Sequence, residues 1–174
     1  MPRRFFHRHQ TACLPCWAKA ALGALAGLGV VALAGEASGA TLLMAPLGAS
    51  AMLLFGFPAS PLSQPAPVIG GHLVAALVGL LFDHLLPAGW WSMAAAVAVA
   101  IAVMGILRLS HPPAAANPLV VMMAHPGWDF LLAPVLIGSI ALVVIAVLIH
   151  RLPPRTAYPL PLDESPAPGK DIAK

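Results

Sequence analysis

The chain has 174 residues, 60% of them hydrophobic and only 9% charged, against roughly 25% charged in a soluble domain. Between residues 20 and 150 the only charges are Glu36, Asp83, Arg108 and Asp129. No polar face is left to cover a water-soluble core, and the composition points to one integral membrane domain. The formal charge of +3 divides as +4 over residues 1–19, −2 over 20–150 and +1 over 151–174, which fits a basic cytoplasmic flank and not a nucleic-acid surface.

Residues 1–16, with Arg3, Arg4 and Arg8, read as a basic cytoplasmic tail. They do not read as a cleavable signal peptide, because Glu36 and Ser38 follow an apolar run long enough to span. Cys13-Leu-Pro-Cys16, with His7 and His9 nearby, has a spacing known for redox or metal chemistry. Juxtamembrane acylation is a second reading, and an ordinary tail at the membrane surface is the plainest one. The transmembrane domain is expected over residues 17–150, with a disordered cytoplasmic tail over 151–174.

The first helix is expected over residues 17–35, with Gly23 and Gly27 spaced for close helix contact. A short apolar run follows over 41–57, with Pro46, Gly48 and Ser50 near its start. Residues 58–67 hold four prolines in ten positions and no charge, so they are expected neither as helix nor as a long aqueous loop. A helix over 68–86 carries Gly71, Ala75 and Gly79 as a packing stripe. His72 and Asp83 share another face of it, roughly 16 Å apart along the axis. Trp90 and Trp91 mark an aromatic belt before a helix over 92–109.

Then comes Arg108-Leu-Ser-His-Pro-Pro-Ala-Ala-Ala-Asn-Pro118, which puts a charge, an imidazole and three prolines between apolar runs. Proline removes a backbone donor and drives the preceding residue out of the helical region. A broken backbone persists in hydrocarbon only where protein or a water-filled cavity satisfies it. The apolar stretch that follows, to Ala124, is short. A last helix is expected over 130–150.

A shift of 67 residues brings Pro46 onto Pro113, Ser50 onto Asn117, Pro67 onto Pro134 and Gly71 onto Gly138. Two copies of one unit are expected, each a spanning helix, a proline-started short helix and another spanning helix, as in transporters built from repeats. The fold class is therefore an all-α integral membrane protein. It has about four transmembrane helices plus two re-entrant short helices, and both termini lie in the cytoplasm. Six crossings with two short ones also satisfy the charge pattern, and would place Arg108 inside.

The small residues after each proline leave backbone N–H groups uncovered, and such helix starts attract anions. Ser50, Asn117, Gly48, Pro112 and Pro113 are expected at this site, with Arg108 and His111 adding cationic or donor groups. His72, an ionisable group inside an apolar helix, is expected to line the pathway. The plainer alternatives are that Arg108 snorkels to the interface, that His111 caps a turn, and that Ser50 bonds its own backbone. His125 and His150 read as interfacial.

The motifs Ala45-Pro-Leu-Gly-Ala-Ser-Ala51, Phe57-Pro-Ala-Ser-Pro-Leu-Ser-Gln-Pro65, Gly70-Gly-His72 and Arg108-Leu-Ser-His-Pro-Pro113 with Asn117-Pro118 resemble the HPP family of integral membrane proteins, named for its His-Pro-Pro motif. The resemblance covers roughly residues 15–150 and implies four transmembrane helices. Members in plastids and cyanobacteria are implicated in nitrite transport, which implies a small-anion permease here. The resemblance brings no assigned site residues.

The expectation is thus a permease or channel of the bacterial inner membrane for nitrite or a similar small anion. It uses no cofactor, is not an enzyme, and works as a homo-oligomer in the lipid bilayer. A histidine could carry a proton with the anion, since imidazole titrates near neutral pH. The main rival is a structural or assembly subunit of a membrane complex. A redox protein built on Cys13 and Cys16 is a second rival.

Overall fold

The computed structural model describes residues 13–39 and 41–161, so most of the basic tail and the last residues of the chain lie outside it. Among the described residues there are six α-helices and no strands. They are α1 (Leu14–Ser38), α2 (Ala45–Gly56), α3 (Pro65–Leu85), α4 (Trp90–Ile106), α5 (Asn117–Ala124) and α6 (Ile137–Arg151). Large apolar side chains such as Leu22, Leu25, Leu33, Ile101, Ile106 and Leu148 point outward. Water would not tolerate that surface, and lipid requires it. The protein is an integral membrane protein.

Three helical stretches are long and apolar enough to cross a membrane: Leu14–Ser38, Pro65–Leu85 and Trp128–Arg151. The fourth expected spanning helix, α4, has 17 residues. The last stretch is not one regular helix. A 3-10 turn (Trp128–Leu131) and a kinked turn (Leu132–Leu136) precede α6, with Ala133 extended at φ −134°, ψ 117° because Pro134 follows it. Pro65 and Pro67, expected outside any helix, lie in the first turn of α3, where a missing donor costs nothing.

Contacts along the bundle fix the direction of each segment. Lys19 Nζ, on the second turn of α1, donates to the carbonyls of Leu152 and Pro154 at 2.8 and 2.6 Å, so the start of α1 and the end of α6 lie at the same end of the bundle. α2 ends at that same end, since a Cβ on Gly56 would come within 3.3 Å of the Trp17 ring. α3 leaves that end and finishes at Asp83, bonded to His125 at 2.7 Å. α4 returns, bringing Met104 and Leu109 against Gly71. α5 and its lead run beside α3 in the same direction, with His111 at Gly71 and Pro118 at Gly79. α6 returns from the Trp128–His84 contact to His150, whose Nε2 donates to Leu54 O at 2.8 Å.

Within the bundle neither short helix doubles back. Each starts towards one end of the bundle and leaves at the other. The reason is the extended lead before it, since an extended residue advances about 3.3 Å and a helical one about 1.5 Å. Residues 41–44 plus the 12 residues of α2 cover about 31 Å on that arithmetic. Residues 109–111, the 3-10 turn Pro112–Ala116 and α5 cover about 32 Å. Both match a hydrocarbon core of about 30 Å.

The contacts also repeat at the 67-residue shift. A Cβ on Gly71 would meet the carbonyl of Leu109, and one on Gly138 would meet the carbonyl of Leu42. Each long helix thus packs its glycine against the lead of the other unit's short helix.

Residues 152–161, expected as part of a disordered tail, fold back onto the proline-rich loop. Tyr158 is buried and its hydroxyl donates to Ser63 O at 3.0 Å. Leu160 N–H donates to Gln64 Oε1 at 2.9 Å. Burial pushes the Tyr158 phenol well above its ordinary range.

Candidate functional site

Four side chains meet in the middle of the bundle, and none exposes any surface: Ser50 on α2, His72 on α3, His111 just before the 3-10 turn, and Asn117 at the start of α5. Ser50 Oγ lies 2.8 Å from His72 Nε2 and 2.8 Å from His111 Nε2. It is also 3.0 Å from the carbonyl of Pro46, one turn back. The imidazole rings stand 5.1 Å apart, centre to centre. Asn117 Nδ2 lies 3.1 Å from His72 Nδ1 and donates to the His72 carbonyl at 2.9 Å. His111 Nδ1 sits 2.8 Å from the carbonyl of Leu62 in the proline-rich loop.

The local sequence makes this meeting possible. Met44 and His111 are both extended, and each precedes a proline by one or two positions. The helices therefore begin inside the bundle and not at its surface. Gly71 leaves the space that the Cβ of His111 and the carbonyl of Leu109 fill. Gly79 does the same for Pro118. With β-carbons at these two glycines, α5 and its lead would be forced away from α3, and Asn117 from His72.

Among the described residues, no charged side chain bonds to any of the four. Asp83 pairs with His125 at the far end of α3, and Lys19 serves the chain end. A polar but uncharged cluster in an apolar bundle is stabilising only when its donors and acceptors are matched, and every side-chain nitrogen and oxygen of these four residues has a partner. A cavity of about 380 Å³ opens beside His111, lined by Ile101, Met104, Ser110, His111, Pro112 and Ala115.

The expected site residues thus divide. Ser50, His72, His111 and Asn117 come together. Pro112 is exposed and Pro113 half-buried, and both shape the turn without joining the cluster. Gly48 is exposed, and a Cβ there would meet nothing within 4 Å. Arg108 is exposed, in the left-handed region at φ 57°, and its side chain makes no hydrogen bond among the described residues. It lies outside the cluster. The turn at Arg108 ends α4 and directs the side chain away from the bundle.

Two features escaped the sequence reading. The Leu62 carbonyl is a partner of His111, and only the absence of charge in the loop around it hinted at burial. His150, expected at the interface, is buried beneath Phe55 and Tyr158. Cys13 and Cys16 are joined by a disulfide at the start of α1, which occupies both thiols.

Residues 9–159 match the family described as HPP, transmembrane region. Two transmembrane proteins of Dictyostelium discoideum are similar to this chain. One is 33% identical over 126 residues, covering 68% of this chain and 40% of its own. The other is 31% identical over 127 residues, covering 68% of this chain and 44% of its own. The chain therefore spans about two fifths of the length of these curated relatives. No solved structure matches it.

Proposed function

The chain belongs to the HPP transmembrane-region family, and we propose that it is a permease or channel for nitrite or a similar small anion. The observation that carries this reading is the meeting of Ser50 and Asn117 on one imidazole, His72. These residues sit at equivalent places in the two short helices, 67 residues apart. Proline-broken helices that meet at mid-depth between repeated units are the arrangement in which transporters hold their substrates. The anion would approach through the cavity beside His111 and take donors from the cluster.

In this reading the chain crosses the inner membrane six times, as two three-crossing units of opposite orientation. Both termini lie in the cytoplasm, in keeping with the basic residues at each end. The small bundle would work as a homo-oligomer. The site consists of Ser50, His72, His111 and Asn117, with Pro112 and Pro113 holding the turn.

A structural reading has one observation in its favour, the complete internal pairing of the cluster. A closed network can serve only to lock the two short helices onto α3. Anion flux separates the two. Purified protein in liposomes should take up nitrite faster than protein-free vesicles and in preference to chloride. Nitrate and formate would define the selectivity. Well-folded protein that moves none of the four anions would leave the structural role.

A further inference from the structure

We propose that His111 carries one proton together with each anion, and that the Ser50 hydroxyl is the switch that accommodates it. This rests on the permease reading, but its geometric part stands apart from it. The inference follows from counting protons in the cluster.

His111 Nδ1 faces the carbonyl of Leu62 at 2.8 Å. A carbonyl only accepts, so Nδ1 carries a hydrogen. In neutral His111 the other nitrogen, Nε2, is then bare, and Ser50 must donate to it across their 2.8 Å contact. Asn117 Nδ2 is fixed as a donor, because it donates to the His72 carbonyl. His72 Nδ1 lies 3.1 Å from this donor and 3.4 Å from Asn117 Oδ1; the shorter contact makes it the acceptor, and His72 Nε2 carries the hydrogen and donates to Ser50 Oγ. The two imidazoles are thus held in opposite tautomers.

Ser50 has a second place for its hydrogen, the Pro46 carbonyl at 3.0 Å. If the hydroxyl turns there, Oγ offers both lone pairs, one to His72 Nε2–H and one to His111 Nε2–H. The cluster then holds one more proton with Ser50 and both imidazole Nε2 atoms still paired and no heavy atom displaced. His72 has no such reserve. A hydrogen on its Nδ1 would meet the Asn117 amide donor at 3.1 Å before the Asn117 Oδ1 acceptor at 3.4 Å. The extra proton belongs to His111.

The charge balance gives this proton a use. An anion in the middle of an apolar bundle needs a positive partner. The elements around His111 offer none. α2 presents Ser50, α3 presents His72, α4 presents Met104, α5 presents Asn117, and the proline-rich loop presents the Leu62 carbonyl. Among the described residues the only titratable neighbour is His72. Asp83, His84 and His125 lie at the far ends of α3 and α5, and Arg108 is exposed. So the positive charge arrives with the anion. A hydronium ion on one side gives its proton to the Nε2 lone pair of His111 and becomes water, the anion joins the imidazolium, and on the other side the proton passes to a water molecule as the anion leaves. One N–H bond forms and breaks, no electrons move, and the net charge carried is zero.

Two measurements on the full chain test this. Nitrogen-15 NMR of labelled histidine side chains, assigned with His72→Gln, His111→Gln and His125→Gln, reports each tautomer. His111 should show hydrogen on Nδ1 and His72 on Nε2. As pH falls, His111 should become doubly protonated while His72 stays singly protonated. In liposomes with a pH-sensitive dye inside, an inward nitrite gradient should acidify the lumen, one proton per nitrite, above the leak of protein-free vesicles. His111→Gln should lower this by at least tenfold. Nitrite entry with a flat lumen pH, or His111 that stays singly protonated while nitrite is carried, would overturn the proposal. If no anion enters, the permease reading fails, and the tautomers and the order of protonation decide the proton inference on their own.

Discussion

Ser50 Oγ and His111 Nε2 stand 2.8 Å apart across 61 residues of sequence, and that contact joins the first short helix to the lead of the second. It is made in a place with no exposed surface, so the cost of losing it cannot be recovered from water. Ser50→Ala leaves both imidazole Nε2 atoms without their shared partner. An unsatisfied buried polar group costs about 1–3 kcal/mol. A clear drop in the melting temperature of the purified protein is expected, and an unchanged melting temperature would show that the cluster does not hold the short helices together.

The glycines give a graded series. A Cβ at Gly79 would lie 2.8 Å from Pro118 Cα, and one at Gly71 would lie 2.8 Å from the Leu109 carbonyl. Both are backbone atoms and cannot swing aside. Gly71→Ala and Gly79→Ala should each destabilise the fold by about 1–3 kcal/mol. Gly48→Ala, where nothing lies within 4 Å, should not. Thermal unfolding of the three variants in one detergent checks the order.

The folded-back end of the chain gives a pH test. The Tyr158 phenol is held well above its ordinary value by burial. A group whose folded value is raised contributes stability that is complete below its unfolded value and lost as pH rises beyond it. Stability should therefore stay level up to pH about 10 and then fall, more steeply in wild type than in Tyr158→Phe. At neutral pH the same variant loses the bond to Ser63 O, at a cost of about 1 kcal/mol. Equal alkaline slopes in both proteins would contradict the buried phenol.

The six-crossing path has its own check. Single cysteines are introduced in a background with Cys13 and Cys16 replaced by serine, and tested with a membrane-impermeant thiol reagent. Positions beside Trp90 and Trp128 should label from one side of the membrane. Positions 59 and 155 should label from the other. Labelling of position 59 from the same side as Trp128, with Trp90 on the side of position 155, would restore the re-entrant form.

Much of the central cluster was legible because its residues break the rules of their surroundings. His72 and His111 stand in apolar runs, and Pro46 and Pro113 interrupt helices at the same place in two units. The path of the two short helices through the bundle was not legible, for a physical reason. Counting helical residues against membrane thickness ignores an extended lead, which advances twice as far per residue. Arg108 stands beside the motif in sequence but outside the cluster in space, because its direction depends on a left-handed turn at φ 57°. The described residues 152–161 lie in a stretch that looked disordered from its prolines and charges. Their order comes from Tyr158 and Leu160 reaching back 95 and 96 residues to Ser63 and Gln64, pairings that no local pattern carries.

The measurement that separates these readings most directly is nitrite uptake into liposomes by wild type, His111→Gln and Arg108→Gln, each first shown to be folded and equally inserted. With the anion handled by the buried cluster, His111→Gln should lose uptake by at least tenfold and Arg108→Gln should stay within about twofold of wild type. Uptake that collapses in Arg108→Gln and persists in His111→Gln would contradict the placement of the site.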